Sequence, residues 1–112
     1  MTSCAKARQS LLESELVRVL DILIAEYQPE AVYLFGSLAG GTVSEWSDLD
    51  LVIIKDTDES FYDRIATVLK LTRPKVGTDI CVYTPTEWTE LKQQRQFVKQ
   101  EIIRQGKLLY AA

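Results

Sequence analysis

The sequence predicts an α/β (α+β) domain in which a small mixed sheet of three or more strands is flanked by helices. Three observations predict it. Three short apolar runs, 31–35, 48–54 and 78–83, are bounded by Pro, Gly or polar residues, as strands are. Stretches with helical spacing of apolar residues precede, separate and follow them. The length of 112 residues suits one domain, residues 1–112, with a core large enough to need no disulfide staples.

The first helix is expected from about Ala7 to Tyr27. Leu12, Leu16, Leu20, Leu23 and Tyr27 recur on one face, and Pro29 ends the pattern. Ala31 to Phe35 reads as a buried strand. Ser37 to Gly41 suits a short helix, with a serine near its start and two glycines closing it. Thr42 to Ser47 is expected as loop, with Ser47 forming a turn, and Asp48 to Ile54 as the second strand. Phe61 to Leu71 has helical spacing, with Phe61, Ile65, Val68, Leu69 and Thr72 turned inward; Pro74 and Gly77 break it. Thr78 to Tyr83 is the third strand. A long helix is expected from Thr86, as its N-cap, to Gln105, with Trp88, Leu91, Val98 and Ile102 on its apolar side. Gly106 stops it, and Leu108 to Tyr110 is left as an apolar tail.

Composition narrows the chemistry. The chain has no histidine, which removes Ser-His triads, imidazole general bases and His-ligated zinc. A net charge of −3 argues against a nucleic-acid-binding surface as the main business of the chain. Lys92 to Arg95 then reads as a solvated helix face. Cys4 and Cys81 have no metal-ligand spacing; Cys81 is expected as a small buried side chain and Cys4 as incidental. No apolar run approaches a membrane span, and residues 1–10 lack a secretory apolar segment, so a reducing, cytoplasmic setting is expected. Val17, Ile24, Phe97 and Leu108 to Tyr110 are surplus apolar residues that suit either the core or an interface with a second copy or a partner.

The chemistry concentrates in Leu34-Phe35-Gly36-Ser37, ten spacer residues, and Ser47-Asp48-Leu49-Asp50-Leu51. Strand side chains alternate, so Asp48 and Asp50 share a face, about 6.6 Å apart along the backbone. Two carboxylates on one face of an otherwise apolar strand are costly unless a cation compensates them. Mg²⁺ suits such a pair because it shares its shell with phosphate and water. Asp79 can stand beside Asp50 if the second and third strands are neighbours, as a base or as a further metal ligand. Gly36 frees the backbone at the strand end, and Ser37 and the amides after it suit phosphate oxygens. Trp46 is either a loop plug, the favoured reading, or a base-stacking platform.

These residues resemble the motif of the DNA polymerase β-like nucleotidyltransferase superfamily: Gly-Ser, a spacer, Asp-x-Asp and a later carboxylate on the next strand. At this length the chain looks most like the minimal nucleotidyltransferases (MNT). The resemblance runs from the first helix to the helix after Asp79. It implies a nucleotidyltransferase fold, Asp48, Asp50 and Asp79 as Mg²⁺ ligands and catalytic carboxylates, and Gly36 and Ser37 as contacts to the triphosphate of ATP or another NTP. It implies transfer of a nucleoside monophosphate to a hydroxyl with release of pyrophosphate. Many minimal members are antitoxins paired with a helical HEPN-domain toxin, and some attach AMP to a tyrosine of it. One position departs from the pattern: Gly40 stands where members commonly carry arginine, in Gly36-Ser37-Leu38-Ala39-Gly40-Gly41. Lys55, Arg73 and Lys75 are the substitute cations nearest in sequence. The other reading is a binding module that neutralises such a toxin by complex formation, with little or no chemistry. Carboxylates alone would also suit a two-metal nuclease, but the Gly-Ser element argues for a triphosphate donor.

Overall fold

The computed structural model describes residues 2–94 and 106–112. Their order is α1 (Ser3–Ile22), a π-helical turn (Leu23–Tyr27), β1 (Ala31–Phe35), α2 (Gly36–Gly40), β2 (Leu49–Ile54), α3 (Phe61–Thr72), β3 (Thr78–Tyr83), α4 (Pro85–Gln94) and β4 (Lys107–Ala111). The four strands form one mixed sheet in the order β3-β2-β1-β4. β2 is antiparallel to β1 and parallel to β3, and α3 makes the crossover that a parallel pair requires.

The sheet is covered on both faces. Val32, Leu34, Leu51, Ile53, Ile80 and Val82 pack against Val19, Leu23 and Tyr27 and against Val68 of α3. On the opposite face Val52 and Ile54 pack under Trp88 of α4, with Tyr33, Cys81 and Tyr83 around it. Trp88 is therefore core, as expected, and Cys81 is half-buried rather than fully buried. Cys4 is exposed.

Helix ends depart from expectation for local reasons. α1 begins at Ser3 because Thr2 caps it, its Oγ1 accepting from Ala5 N at 3.1 Å. Its last turn widens to π geometry and closes on Gln28 in the left-handed region, φ 55°, before Pro29. The N-cap of α4 is Thr84, not Thr86. Thr84 Oγ1 accepts from Glu87 N at 3.2 Å, while Thr84 N donates to Glu87 Oε1 at 2.9 Å. This reciprocal box needs a carboxylate three residues on, which Thr84 has, and Pro85 at the first helical position has no N–H to lose. The rest of the helix expected to Gln105, with Arg95, Phe97, Val98 and Ile102, lies outside the described residues.

Two further expectations change. The apolar tail is a strand: β4 pairs antiparallel with β1, Val32 opposite Tyr110 and Tyr33 opposite Leu108, with a bulge between. Lys-Leu-Leu-Tyr-Ala shows no alternation, and the open edge of β1 is what makes it a strand. In α3, Val68 and Thr72 are fully buried, but Phe61 and Leu69 are 37% and 39% exposed. Arg64 takes the inward position, at 7% exposure. Its Nε donates to Glu59 O at 2.9 Å, and its Nη1 donates to Val82 O at 3.2 Å and Glu87 Oε1 at 2.6 Å. It thus ties α3 to β3 and α4.

Among the described residues no helix is long and apolar enough to cross a membrane.

Candidate active site

β2 places its side chains as alternation requires. Leu49, Leu51 and Ile53 are fully buried, and Asp50 lies on the other face with Val52 and Ile54. α4 covers the far half of that face. The near half carries the carboxylates. β3 pairs in register so that Asp79 is directly opposite Asp50, and Phe35, the last residue of β1, flanks Asp50 on the other side. Asp48 sits just before β2, at the loop end of the same face, and its side chain is 47% exposed. The structure thus brings Asp48, Asp50 and Asp79 together at one end of the sheet.

Two glycines shape the floor. Gly36 has φ +76°, and any Cβ there would collide with the Asp50 carboxylate. Gly36 opens α2, so Asp50 lies against the backbone from which Ser37 and the amides of α2 follow. Ser37 makes no side-chain hydrogen bond among the described residues, and its carbonyl accepts from Thr42 N at 3.0 Å. Gly77 does the same service for Asp48: a Cβ at Gly77 would collide with Asp48 Oδ1. Gly77 O also accepts from Leu49 N at 3.0 Å, which fixes the start of β2. The connection that carries Gly77 is anchored to α1. Buried Glu15 accepts from Arg18 Nε at 2.6 Å and from Lys75 N, and Arg18 Nη2 donates to Arg73 O at 3.1 Å.

The electrostatics are those of crowded anions. Burial pushes the Asp50 carboxyl up to about 6; the hydrogen bond it shares with Asp79 and the charges of Asp79 and Asp48 push the same way. A cation here would relieve that repulsion. Among the described residues no three acidic or sulfur groups gather closely enough to enclose an ion alone. The chemistry of the donor set, hard carboxylate oxygens, is that of a divalent cation whose shell substrate oxygens and water would complete.

A cation does stand beside the cluster, and it is not one of those nearest in sequence. Arg8 of α1 donates from Nε to Ser47 O at 2.7 Å and from Nη2 to Asp48 Oδ1 at 3.3 Å. Lys55 follows the opposite end of β2, where its Nζ donates to Tyr27 O at 2.7 Å. Arg73 and Lys75 belong to the connection held by Glu15 and Arg18. Arg8 and Gly77 are the site residues that motif reading misses. Arg8 is far away in sequence, and Gly77 reads only as a helix breaker.

Ser47 forms the expected turn, its Oγ accepting from Ser44 N at 2.9 Å. The turn presents Trp46 at 82% exposure, so the residue is not a plug. Trp46 borders a cleft of about 500 Å³ with Gly41 and Val43, and none of the three carboxylates lines it.

Gly36→Ala is expected to disrupt the site selectively. The left-handed backbone would be strained by about 1–2 kcal/mol, and the new methyl would displace Asp50. Divalent-cation binding, measured by titration calorimetry, should weaken at least tenfold while the far-UV circular dichroism stays native. Unchanged cation affinity would show that Asp50 does not need its seat on Gly36.

A comparison with curated proteins gives no match. Among solved structures, a candidate nucleotidyltransferase from Sulfolobus solfataricus superposes with a TM-score of 0.70 at 18% identity, over 99% of this chain and 90% of that one. A toxin-antitoxin structure with AMP-PNP superposes with a TM-score of 0.50 at 20% identity, over 86% and 73%. A variant of the toxin-antitoxin MntA-HpeT with two Asp-to-Glu substitutions gives the same TM-score at 18% identity and the same coverage. At such identities these likenesses bear on the fold alone. The family model described as Polymerase beta, Nucleotidyltransferase matches residues 18–112, a span holding Gly36, Ser37, Asp48, Asp50 and Asp79, and the chain belongs to that family.

Proposed function

We propose that the chain is a Mg²⁺-dependent nucleotidyltransferase that moves AMP from ATP to a hydroxyl of a partner toxin, and so acts as an antitoxin. The observation that carries the reading is the register of β2 and β3, which sets Asp79 beside Asp50 against the Gly36 backbone. The family supports the reaction class. Structures of a toxin-antitoxin, one with AMP-PNP, support the donor and the kind of partner. In one of them the two altered aspartates are two positions apart, the spacing of Asp48 and Asp50. A HEPN-type fold for the partner and a tyrosine as acceptor rest on the resemblance alone.

In this reading Asp48, Asp50 and Asp79 hold Mg²⁺, which when bound offsets phosphate charge and draws electron density from the α-phosphorus. Ser37 and the first amides of α2 hold and orient the triphosphate. The acceptor oxygen forms a bond to the α-phosphorus as the bond between that phosphorus and the bridging oxygen to the β-phosphorus breaks. Pyrophosphate carries away that electron pair. Asp79 takes the proton of the acceptor hydroxyl. Trp46, exposed on the spacer loop, offers a face on which a base can stack.

The second reading, neutralisation by occlusion, is favoured by Gly40, which leaves no arginine beside Gly36-Ser37. Co-expression of the toxin with wild-type chain and with Asp50→Asn separates the two. Catalytic neutralisation predicts that the variant still binds the toxin but no longer rescues growth. Full rescue by the variant would assign neutralisation to complex formation.

A further inference from the structure

We infer that Arg8 is a positioning residue for Asp48, pinning one carboxylate oxygen so that the other is left for the divalent cation. The inference rests on the nucleotidyltransferase reading of the site. Arg8 grips two successive residues at the mouth of β2: Nε donates to Ser47 O at 2.7 Å and Nη2 to Asp48 Oδ1 at 3.3 Å. A planar guanidinium donating from two nitrogens to two acceptors fixes direction as well as distance, which a lysine ammonium does not. What it grips is firm, because Ser47 N donates to Ser44 O at 3.2 Å and Ser47 Oγ accepts from Ser44 N at 2.9 Å.

The same oxygen is the one nearest to Gly77. Gly77 approaches Asp48 so closely that a Cβ would strike Oδ1 before Oδ2. Arg8 and Gly77 thus both bear on Oδ1, and Oδ2 accepts no hydrogen bond among the described residues, which leaves it to bind. The Arg8 side chain is 23% exposed and that of Asp48 47%, so the ion pair by itself is worth little, and the bond from Nε to Ser47 O is what holds the guanidinium in place. Arg8 also lies outside the family-matched span 18–112, so the family pattern assigns it no role. Its charge enters from α1 on the carboxylate side. Its hydrogen bonds go to Ser47 and Asp48, so it acts on a cation ligand.

Two effects of Arg8 oppose each other. Its charge draws electron density from Asp48 and disfavours a second cation, whereas its fork removes the freedom of the carboxylate. Partners that orient a metal ligand typically contribute 10- to 100-fold in metal affinity or activity, so orientation is expected to win.

The test titrates Mn²⁺ alone into wild type, Arg8→Ala and Arg8→Lys, with free Mn²⁺ read by electron paramagnetic resonance and folding by thermal melts. Arg8→Ala is expected to bind Mn²⁺ about tenfold more weakly. Arg8→Lys should fall between, since it keeps the charge without the fork. In turnover assays the loss should vanish at saturating metal, with the KM for ATP unchanged. Equal or tighter Mn²⁺ binding by Arg8→Ala overturns the inference. So does a raised KM for ATP with unchanged Mn²⁺ affinity, which would place Arg8 on the triphosphate. If Arg8→Ala fails to fold, Arg8→Lys and Arg8→Gln carry the same comparison. Failure of the wild type itself to bind Mn²⁺ would instead sink the proposed function, and this inference with it.

Discussion

Asp50→Asn is expected to make the metal-free protein more stable and the enzyme inactive. Asp50 is half-buried beside two other carboxylates, and its proton is held up to about 6 against an ordinary 3.8. At neutral pH the folded chain must ionise it against that repulsion. The full shift corresponds to about 3 kcal/mol. Solvent screening of a partly exposed group lowers the expected gain to about 1–2 kcal/mol, or roughly 5–10 °C in Tm. The sign has a pH signature. Between pH 3.8 and about 6 the folded chain holds the Asp50 proton more tightly than the unfolded chain. Stability from this group is therefore lost as pH rises through that window, and flat above it. Glu15 and Glu87, held down mainly by Arg18 and Arg64, act in the opposite sense at lower pH, but they do so in both proteins. The difference between variant and wild type isolates Asp50: it should be near zero below the window and complete above it. On the proposed function activity should fall at least 100-fold, because the proposed cation ligand and the partner of Asp79 are lost together. Urea unfolding in chelator at several pH values measures the first effect. A variant less stable than wild type at pH 7.5 would contradict the picture of crowded anions.

Arg64→Ala is expected to cost about 2–4 kcal/mol, more than Phe61→Ala on the same helix. Arg64 is 7% exposed and donates to Glu59 O, Val82 O and the Glu87 carboxylate. Removing it leaves a buried carbonyl of β3 without its donor and frees the carboxylate that closes the α4 cap. Phe61 is 37% exposed and its ring meets those of Tyr62 and Tyr83, with centroids 5.6 and 5.9 Å away, so its truncation should cost about 1 kcal/mol. Chemical denaturation ranks the two. A larger loss from Phe61→Ala would mean that the aromatic contacts, not the arginine, hold α3 to the sheet.

The contrast explains what the sequence could and could not tell. Strands β1, β2 and β3 were legible because both faces of the sheet are covered, which makes their apolar runs nearly continuous. The carboxylate pair was legible because alternation puts Asp48 and Asp50 on one face whatever surrounds them. The neighbour relation of β2 and β3 was left open by the sequence, and with it the place of Asp79, because nothing local fixes which strands pair; the register Asp50↔Asp79 settles it. Arg64 was not legible, since an arginine at a core position reads as polar until its three acceptors are known. β4 was not legible because the edge of β1 specifies it and its own residues do not alternate. Arg8 and Gly77 escaped for a related reason. Their roles depend on contacts with Ser47 and Asp48 across the chain, and no local pattern marks them.

The most direct test of the account is the fate of the two ends of ATP. Wild-type chain and its toxin partner are incubated with Mg²⁺ and ATP labelled at either the α- or the γ-phosphate. Nucleotidyl transfer predicts label on the toxin from the α-position only, pyrophosphate release in equal amount, and loss of both in Asp50→Asn. Label from the γ-phosphate, or α-label that persists in Asp50→Asn, would contradict it.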